Sequence, residues 1–535
     1  MIVSPEDRQH ALVAALRDPA RFPHPVTQVR VLETHISWVL LTGAFAYKLK
    51  RPVTLGFLDF STLELRRRAC EEELRLNRRL APDIYLDLVP ISGTPEMPRV
   101  GDPSAPIEYA VRMREFPQEA LLDAMLARGE LTPEMTEATA RRVAAFHLAL
   151  PPAPESSCYG TPALVRAYAE QNFAQLAGLV QDPQARELLD RLQRWSEAEF
   201  ARCEPRLAAR RREGRVREGH GDLHLGNIAW IAGAPVPFDC IEFNAELRWN
   251  DVMSEVAFAV MDLVDRGHPP LGWRFLNAWL ETTGDYDGLA VLRFFLVYRA
   301  LVRAKVSAIR AAQDDVDAAD RPRLAAQVRE YLALADAFAH AGRAALMITN
   351  GVTGSGKSVL AADLAARLGA IRLRSDVERK RLAGLGAFDR SHSLAGGGLY
   401  TPAMSQRTYE RLAALAATAL AERYAVIVDA TFLGRARRAA FRALAAQAGA
   451  PFAIIAVQAP ETALRQRVSA RAAAGTDPSE ADVAVLERQL ATAEPLADDE
   501  RTAALTLDTA TGADIAGAAA TLATRLGLPA PAGGR

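Results

Sequence analysis

The stretch HGDLHLGNIAWIAGAPVPFDCIEFN, residues 220–244, decides how this chain is read. It sets Asp222, Asn227 five positions later and then Asp239 on two short turns separated by an apolar, strand-like run. Singly, an Asp or Asn in a loop is ordinarily a turn former or a helix cap. As an ordered set they match the needs of phosphoryl transfer, which asks for little covalent help. A hydroxyl must be oriented, and phosphate charge must be neutralised by a metal and by cations.

The same residues carry a resemblance. A protein-kinase catalytic loop reads HRD with an Asn five positions after the Asp and a metal-binding Asp on a following turn. Here that position reads His220, Gly221, Asp222, and the later Asp lies in FDCIEF with no glycine after it. The stretch resembles the Brenner-type loop of aminoglycoside phosphotransferases and related small-molecule kinases. The resemblance implies that Asp222 is catalytic, accepting or orienting the hydroxyl proton, and that Asn227 and Asp239 hold Mg²⁺. It makes His220 and His224 loop braces, and Asp251 a residue that holds the catalytic loop.

Towards the N-terminus, a helix is expected at about 5–17, followed by a hairpin in THISWVLLTGAFAYKLKRPV, residues 34–53. In AYKLK the Ala-x-Lys spacing resembles the VAIK strand of kinases and implies Lys48 as the phosphate-binding lysine. Lys50 lies on the same strand face and stays an alternative. In the helix STLELRRRACEEELRLNRRLAP, Glu73 shares a face with Leu76 and Leu80 and is the candidate partner of that lysine, with Glu72 nearly as good. Residues 84–95 and 107–116 read as strands, and the resemblance makes Met113 to Phe116 the hinge that meets adenine. From about 117 to 205 the apolar spacing is helical. His147, on an apolar face, reads as a packed core histidine. The charge run RRREGRVR, residues 210–217, reads as an exposed loop. Long helices are expected at about 285–310 and 321–342.

Near residue 343 the pattern changes. AALMITNGVTGSGKSVLAADLAARLG presents a strand, a loop and an amphipathic helix. The loop Gly351, Val352, Thr353, Gly354, Ser355, Gly356, Lys357, Ser358 satisfies GxxxxGK[ST]. Its backbone N–H groups and the helix N-terminus would cradle phosphates, Lys357 would reach the β and γ oxygens, and Ser358 would ligand Mg²⁺. The strand YAVIVDATF ends at Asp429, the Walker B position or its near equivalent. PFAIIAVQAP and LTLDTA supply further strands, so a doubly wound parallel sheet is expected. Asp376 with Arg379 in SDVERKRL, DATF, and the paired Arg467 and Arg471 are similar to small P-loop kinases, including gluconate kinases, polynucleotide 5′-kinases and zeta toxins. That similarity implies that Asp376 orients the acceptor hydroxyl, Arg379 binds the acceptor, and Arg467 and Arg471 stabilise the transferring phosphate. Arg438 in FLGRARRAAF is a further acceptor-side candidate.

Composition bounds the rest. The chain has 535 residues, a formal net charge of -1 and a pI near 6.8. That length suits two or three domains, and the charge balance disfavours nucleic acid as a partner while leaving a local basic groove open. Four cysteines without a CxxC pair fit a reducing cytoplasm. The first residues carry early acidic side chains and no sustained apolar core, against a signal peptide; with no long apolar run either, a cytoplasmic protein with no membrane partner is expected. The Pro/Gly-rich tail GLPAPAGGR is expected to be disordered.

The expected architecture is an α+β bilobal kinase-like domain, with a small β-rich lobe at 1–116 and a helical lobe bearing the catalytic loop at 117–342. An α/β P-loop domain follows at 343–535. The whole pattern resembles bacterial proteins described as bifunctional aminoglycoside phosphotransferase and ATP-binding proteins. It implies ATP and Mg²⁺ as cofactors and small-molecule hydroxyl acceptors as partners. No dense acidic cluster in the helical lobe suits a polycationic aminoglycoside. Two other readings are a nucleotide sensor without acceptor turnover and a polynucleotide 5′-hydroxyl kinase in the C-terminal domain.

Overall fold

The computed structural model describes residues 4–55, 58–313, 316–317, 319–340, 342–387, 389, 401–474, 479–510 and 512–531. The end of the Pro/Gly-rich tail, 532–535, lies outside the described residues. The chain divides into two compact units. One comprises Met1–Ala138, Ala149–Val165 and Leu207–Phe258; the other comprises Thr139–Leu148, Arg166–Arg206 and Ala259–Arg535.

The first unit is built on a six-stranded antiparallel sheet in the order Arg30–Glu33, Ser37–Leu41, Phe45–Lys50, Pro106–Arg114, Tyr85–Gly93, Pro98–Val100. Side chains alternate across a strand, and the sequence FAYKLK uses this fully. Tyr47 and Leu49 join Trp38, Leu40, Val89 and Ile91 in an apolar layer with Leu12 and Val13 of the helix Pro5–Ala15 and with Leu16, which caps it. Lys48 and Lys50 therefore face the other way, towards the helix Leu63–Asn77. That helix is capped by the Thr62 hydroxyl, which accepts the Leu65 N–H at 3.2 Å. Its Cys70 and Leu74 pack with Tyr85 and Val111 on this second face.

The second unit holds a five-stranded parallel sheet in the order Ile371–Arg374, Ala425–Asp429, Ala345–Asn350, Phe452–Gln458, Ala504–Asp508. Helices between consecutive strands make it an α/β fold. Leu360 and Leu364 of the helix Lys357–Leu368 and Leu522 of the helix Ile515–Leu526 bury against Met347, Ile427 and Ile455. Each such side chain contributes about 1.5–3 kcal/mol by leaving water. Gly369 ends the first of these helices in the left-handed region, at φ 64°. His147 is buried, and its Nδ1 accepts the Trp279 indole N–H at 3.1 Å, as a packed core histidine does.

Both parts of the expected fold class are present: a kinase-like β-rich lobe with its loop, and a parallel P-loop sheet. The charge run at 210–217 differs from expectation. Arg210 lies in the last turn of the helix Pro183–Arg212 and is fully buried, because both its Nε and Nη2 donate to Asp251 at 2.8 Å. A bidentate partner supplied by a distant strand makes burial of the guanidinium tolerable. Among the described residues no helix is long and apolar enough to cross a membrane.

Candidate active sites

The first site gathers around the loop at 220–244. His220 is buried; its Nε2 donates to the Phe238 carbonyl at 2.7 Å, and its Nδ1 accepts the Asp222 N–H at 3.3 Å. Burial lowers its pKa, which favours the neutral ring that these two bonds require. His224 caps the short turn Leu225–Asn227 by accepting the Gly226 N–H at 3.1 Å, and its Nε2 lies 3.4 Å from Asp222 Oδ2. Both histidines thus brace the loop.

Asn227 Nδ2 donates to the Asp222 carbonyl and to Asp222 Oδ2, each at 3.0 Å. With the amide nitrogen spent in this way, Oδ1 is the Asn227 atom that could take a cation. Asp239 sits in the left-handed region at φ 63°, and its N–H donates to the Tyr85 hydroxyl at 3.1 Å. An Asp tolerates this conformation better than a bulky or branched residue would, and such strain concentrates at functional sites.

Lys48 Nζ donates to Glu73 Oε1 at 2.8 Å and to Asp239 Oδ1. Burial opposes the lysine charge, but Asp239 and Glu73 outweigh it and hold the pKa well above the usual value. For Asp239 burial pushes upward, and Lys48 more than offsets it, leaving the carboxyl below its usual range. Of the two open pairs of candidates, geometry separates the glutamates cleanly. Glu73 is fully buried between the lysines, whereas Glu72 pairs with Arg75 at 2.7 Å and Arg248 at 2.6 Å. The lysines are both used: Lys50 Nζ reaches Glu73 Oε2 and Glu242 Oε1, each at 2.5 Å.

Glu255 was not read from the sequence. Its Oε1 accepts the Gly221 N–H at 2.6 Å, and a Cβ added at Gly219 would fall 2.2 Å from the same oxygen. Asp251, expected to hold this loop, instead binds Arg210 and the Met253 N–H. No local pattern marks Glu255, because its partner lies 34 residues away.

The second site is the loop Gly351 to Ser358. Gly354 has φ +80°, and a Cβ there would sit 2.8 Å from the Leu464 carbonyl oxygen. Only glycine meets both demands. Ser358 Oγ donates to Asp429 Oδ1 at 3.1 Å. The other carboxylate oxygen, Asp429 Oδ2, is buried with no hydrogen-bond partner among the described residues, and Arg374 Nε stands 3.7 Å away. An orphaned carboxylate oxygen beside a hydroxyl fits a hard cation with oxygen ligands, so Ser358 and Asp429 fit Mg²⁺.

Asp376 lies in the first turn of the helix Ser375–Leu382 and pairs with Arg379 Nη1 at 2.6 Å. Burial pushes its pKa up, but Arg379, Lys357 and Arg374 outweigh this and lower it; the Ser479 side chain also bonds to it. Arg471 Nη2 donates to Thr353 Oγ1 at 2.8 Å and to the Ala481 carbonyl at 2.9 Å. Arg467 donates to the Thr509 hydroxyl at 2.7 Å and to its carbonyl at 2.9 Å, with Gly354 O at 3.5 Å. The two arginines therefore tie the loop to different segments, Arg471 to Ala481 and Arg467 to Thr509.

Arg438 corrects the sequence reading. Its guanidinium is wholly buried and bonds Glu500 at 2.8 and 2.9 Å and the carbonyls of Phe432, Leu433, Glu494 and Pro495. It braces the turn after Asp429 and presents no donor to an acceptor.

Residues 346–496 match the family described as an AAA domain. Over 461 residues the chain is 32% identical to an uncharacterized protein of Mycobacterium tuberculosis, covering 85% of this chain and 89% of that protein. A counterpart in Mycobacterium bovis shows the same identity and coverage. Among solved structures, a choline kinase from Cryptosporidium parvum is 10% identical with a TM-score of 0.38, over 62% of this chain and 92% of that one. A gluconokinase from Sinorhizobium meliloti is 21% identical with a TM-score of 0.23, over 31% of this chain and 83% of that one.

Proposed function

The chain belongs to one family with these mycobacterial proteins, and from that premise we propose that it is an ATP-dependent phosphotransferase with two nucleotide sites, acting on hydroxyl groups of small molecules. The observation that carries the reading is Lys48, whose ammonium reaches both Glu73 and Asp239 in the unit where Asn227 is bonded to Asp222. Lys48, Glu73, Asp239 and the bonded pair Asp222 and Asn227 come from four separate segments, and their contacts support reading them as one site.

At the first site Asp222 would orient the acceptor hydroxyl and take its proton as the oxygen attacks the γ-phosphorus, the bond from that phosphorus to the β,γ-bridging oxygen breaking and ADP leaving with the bond's electrons. Lys48, held by Glu73, would face the nucleotide phosphates. Asn227 and Asp239 would hold Mg²⁺. At the second site Asp376 would orient the hydroxyl, with Arg379 beside it, and Lys357 and Arg471 would face the phosphates while Ser358 and Asp429 hold Mg²⁺. Arg467 would keep Thr509 against the loop. When bound, Mg²⁺ supplies neutralisation of the charge on the phosphate oxygens. The near-zero net charge supports a small-molecule acceptor over a polynucleotide.

The test is transfer of labelled γ-phosphate from Mg·ATP into a bacterial metabolite extract and, separately, a 5′-hydroxyl oligonucleotide, with Asp222→Asn and Lys357→Ala beside the wild type. A product lost in one variant alone assigns that acceptor to one site. ATP binding without any transfer would sink the proposal in favour of a sensor.

A further inference from the structure

Within its unit, the helix Pro269–Thr283 lies along the edge strand Ile371–Arg374 of the parallel sheet. An edge strand leaves backbone groups unpaired, and Asn277 completes them here. Its Nδ2 donates to the Ala370 carbonyl at 2.9 Å, and its Oδ1 accepts the Arg372 N–H at 2.7 Å. Trp273, one turn earlier, packs so closely that a Cβ on Gly369 would fall 3.1 Å from its ring.

One turn later on the same face stands Glu281. Its Oε1 accepts from Arg372 Nε at 2.8 Å, with Nη2 at 2.6 Å, and its Oε2 lies 3.7 Å from Arg374 Nη1. Arg374 is the register partner of Asp429 in the neighbouring strand, and its Nε lies 3.7 Å from Asp429 Oδ2. The guanidinium thus lies 3.7 Å from each of two carboxylates, and it also acts on the nearby Asp376. Glu281, Arg372, Arg374 and Asp429 are all buried, so water screens little of this balance.

That balance bears on the metal-holding pair. If Arg374 closed fully onto Asp429, it would occupy Oδ2 and cancel the charge that makes this carboxylate a ligand. We propose that Glu281 is a positioning residue for the P-loop site: by drawing Arg374 and anchoring Arg372, it keeps Asp429 Oδ2 open to Mg²⁺. The proposal rests on reading Ser358 and Asp429 as the metal-holding pair. It makes a helix outside the P-loop motif set part of that site's working apparatus.

The experiment measures binding of a fluorescent ATP analogue to the full chain over a Mg²⁺ titration and in EDTA, with the melting temperature recorded for each variant. Binding by the Lys357→Ala chain is subtracted to remove the other site. Glu281→Gln is expected to raise the Mg²⁺ midpoint about tenfold while leaving binding in EDTA unchanged. Glu281→Gln with Arg374→Gln is expected to bring the midpoint back to the wild-type value or below it, to where Arg374→Gln alone stands, which a merely structural role would not do. A wild-type midpoint in Glu281→Gln, or a shift that persists in the double variant, overturns the proposal. If Glu281→Gln fails to fold, Arg374→Gln alone decides: its midpoint should fall below wild type, and an unchanged one overturns the proposal. Wild-type binding indifferent to Mg²⁺ would overturn the reading of the site itself, a different failure from the others.

Discussion

Lys50 Nζ lies 2.5 Å from Glu73 Oε2, and both residues are wholly shielded from solvent. Glu73 therefore serves two lysines, with Lys48 on its other oxygen at 2.8 Å. The two lysines diverge beyond it, Lys48 to Asp239 and Lys50 to Glu242. One carboxylate on the helix Leu63–Asn77 thus ties the strand Phe45–Lys50 to both ends of the segment Asp239–Glu242.

Removing one member of a buried ion pair leaves an uncompensated charge and costs about 3–5 kcal/mol. Lys50→Met is expected to lose stability of that order in chemical denaturation, and adding Glu242→Gln to recover part of it. Lys48→Met, at a position nearer solvent, should lose less stability and more phosphoryl transfer. Equal stabilities for wild type and Lys50→Met would show that the pair contributes nothing net.

Asp222→Asn keeps the shape of the side chain and removes the base. Positioned general bases contribute about 10²–10⁴-fold, so transfer by the first site should fall within that range while nucleotide affinity holds. A fall in affinity with unaltered turnover would place Asp222 in binding instead.

The acidic limb of transfer at the second site should lie below the ordinary aspartate range, because Arg379, Lys357 and Arg374 hold Asp376 ionised against the cost of its burial. The sign follows from linkage. A carboxyl with a depressed pKa in the folded chain contributes stability above its unfolded pKa and loses it as pH falls through the lower folded value. Arg379→Gln should move the limb to higher pH. A pH–rate profile that Arg379→Gln leaves in place would remove Asp376 from the proposed role.

Thiol chemistry should separate the four cysteines. Burial pushes Cys203 and Cys240 up to about 12 and raises Cys70 as well, while Cys158 is exposed. Only the thiolate reacts. Alkylation of the folded chain at mildly alkaline pH should label Cys158 first, with the other three following on denaturation; early labelling of Cys240 would contradict the packing around Asp239.

Arg438→Met should destabilise the chain by about 3–5 kcal/mol, since it strands the buried Glu500. Thermal or denaturant unfolding measures this directly, and an unchanged midpoint would restore the residue to its sequence-based place near the acceptor.

The sequence by itself determined the two architectures and the loops. A turn that exposes Asp222, Asn227 and Asp239, or a glycine-rich loop between strand and helix, is written in consecutive residues because it depends on local backbone conformation. Period-2 alternation in FAYKLK likewise placed Lys48 and Lys50 on one face before any partner was known. Tertiary structure alone decided which distant groups those side chains meet. Glu242 lies 192 residues from Lys50, Glu255 lies 34 from Gly221, and Glu281 lies 91 from Arg372. The charge run at Arg210 looked solvated until a strand brought Asp251 against it, and Arg438 looked free to bind until Glu500 closed on it. Burial of a charge is settled by the partner that folding delivers, and no run of neighbours in the chain encodes that partner.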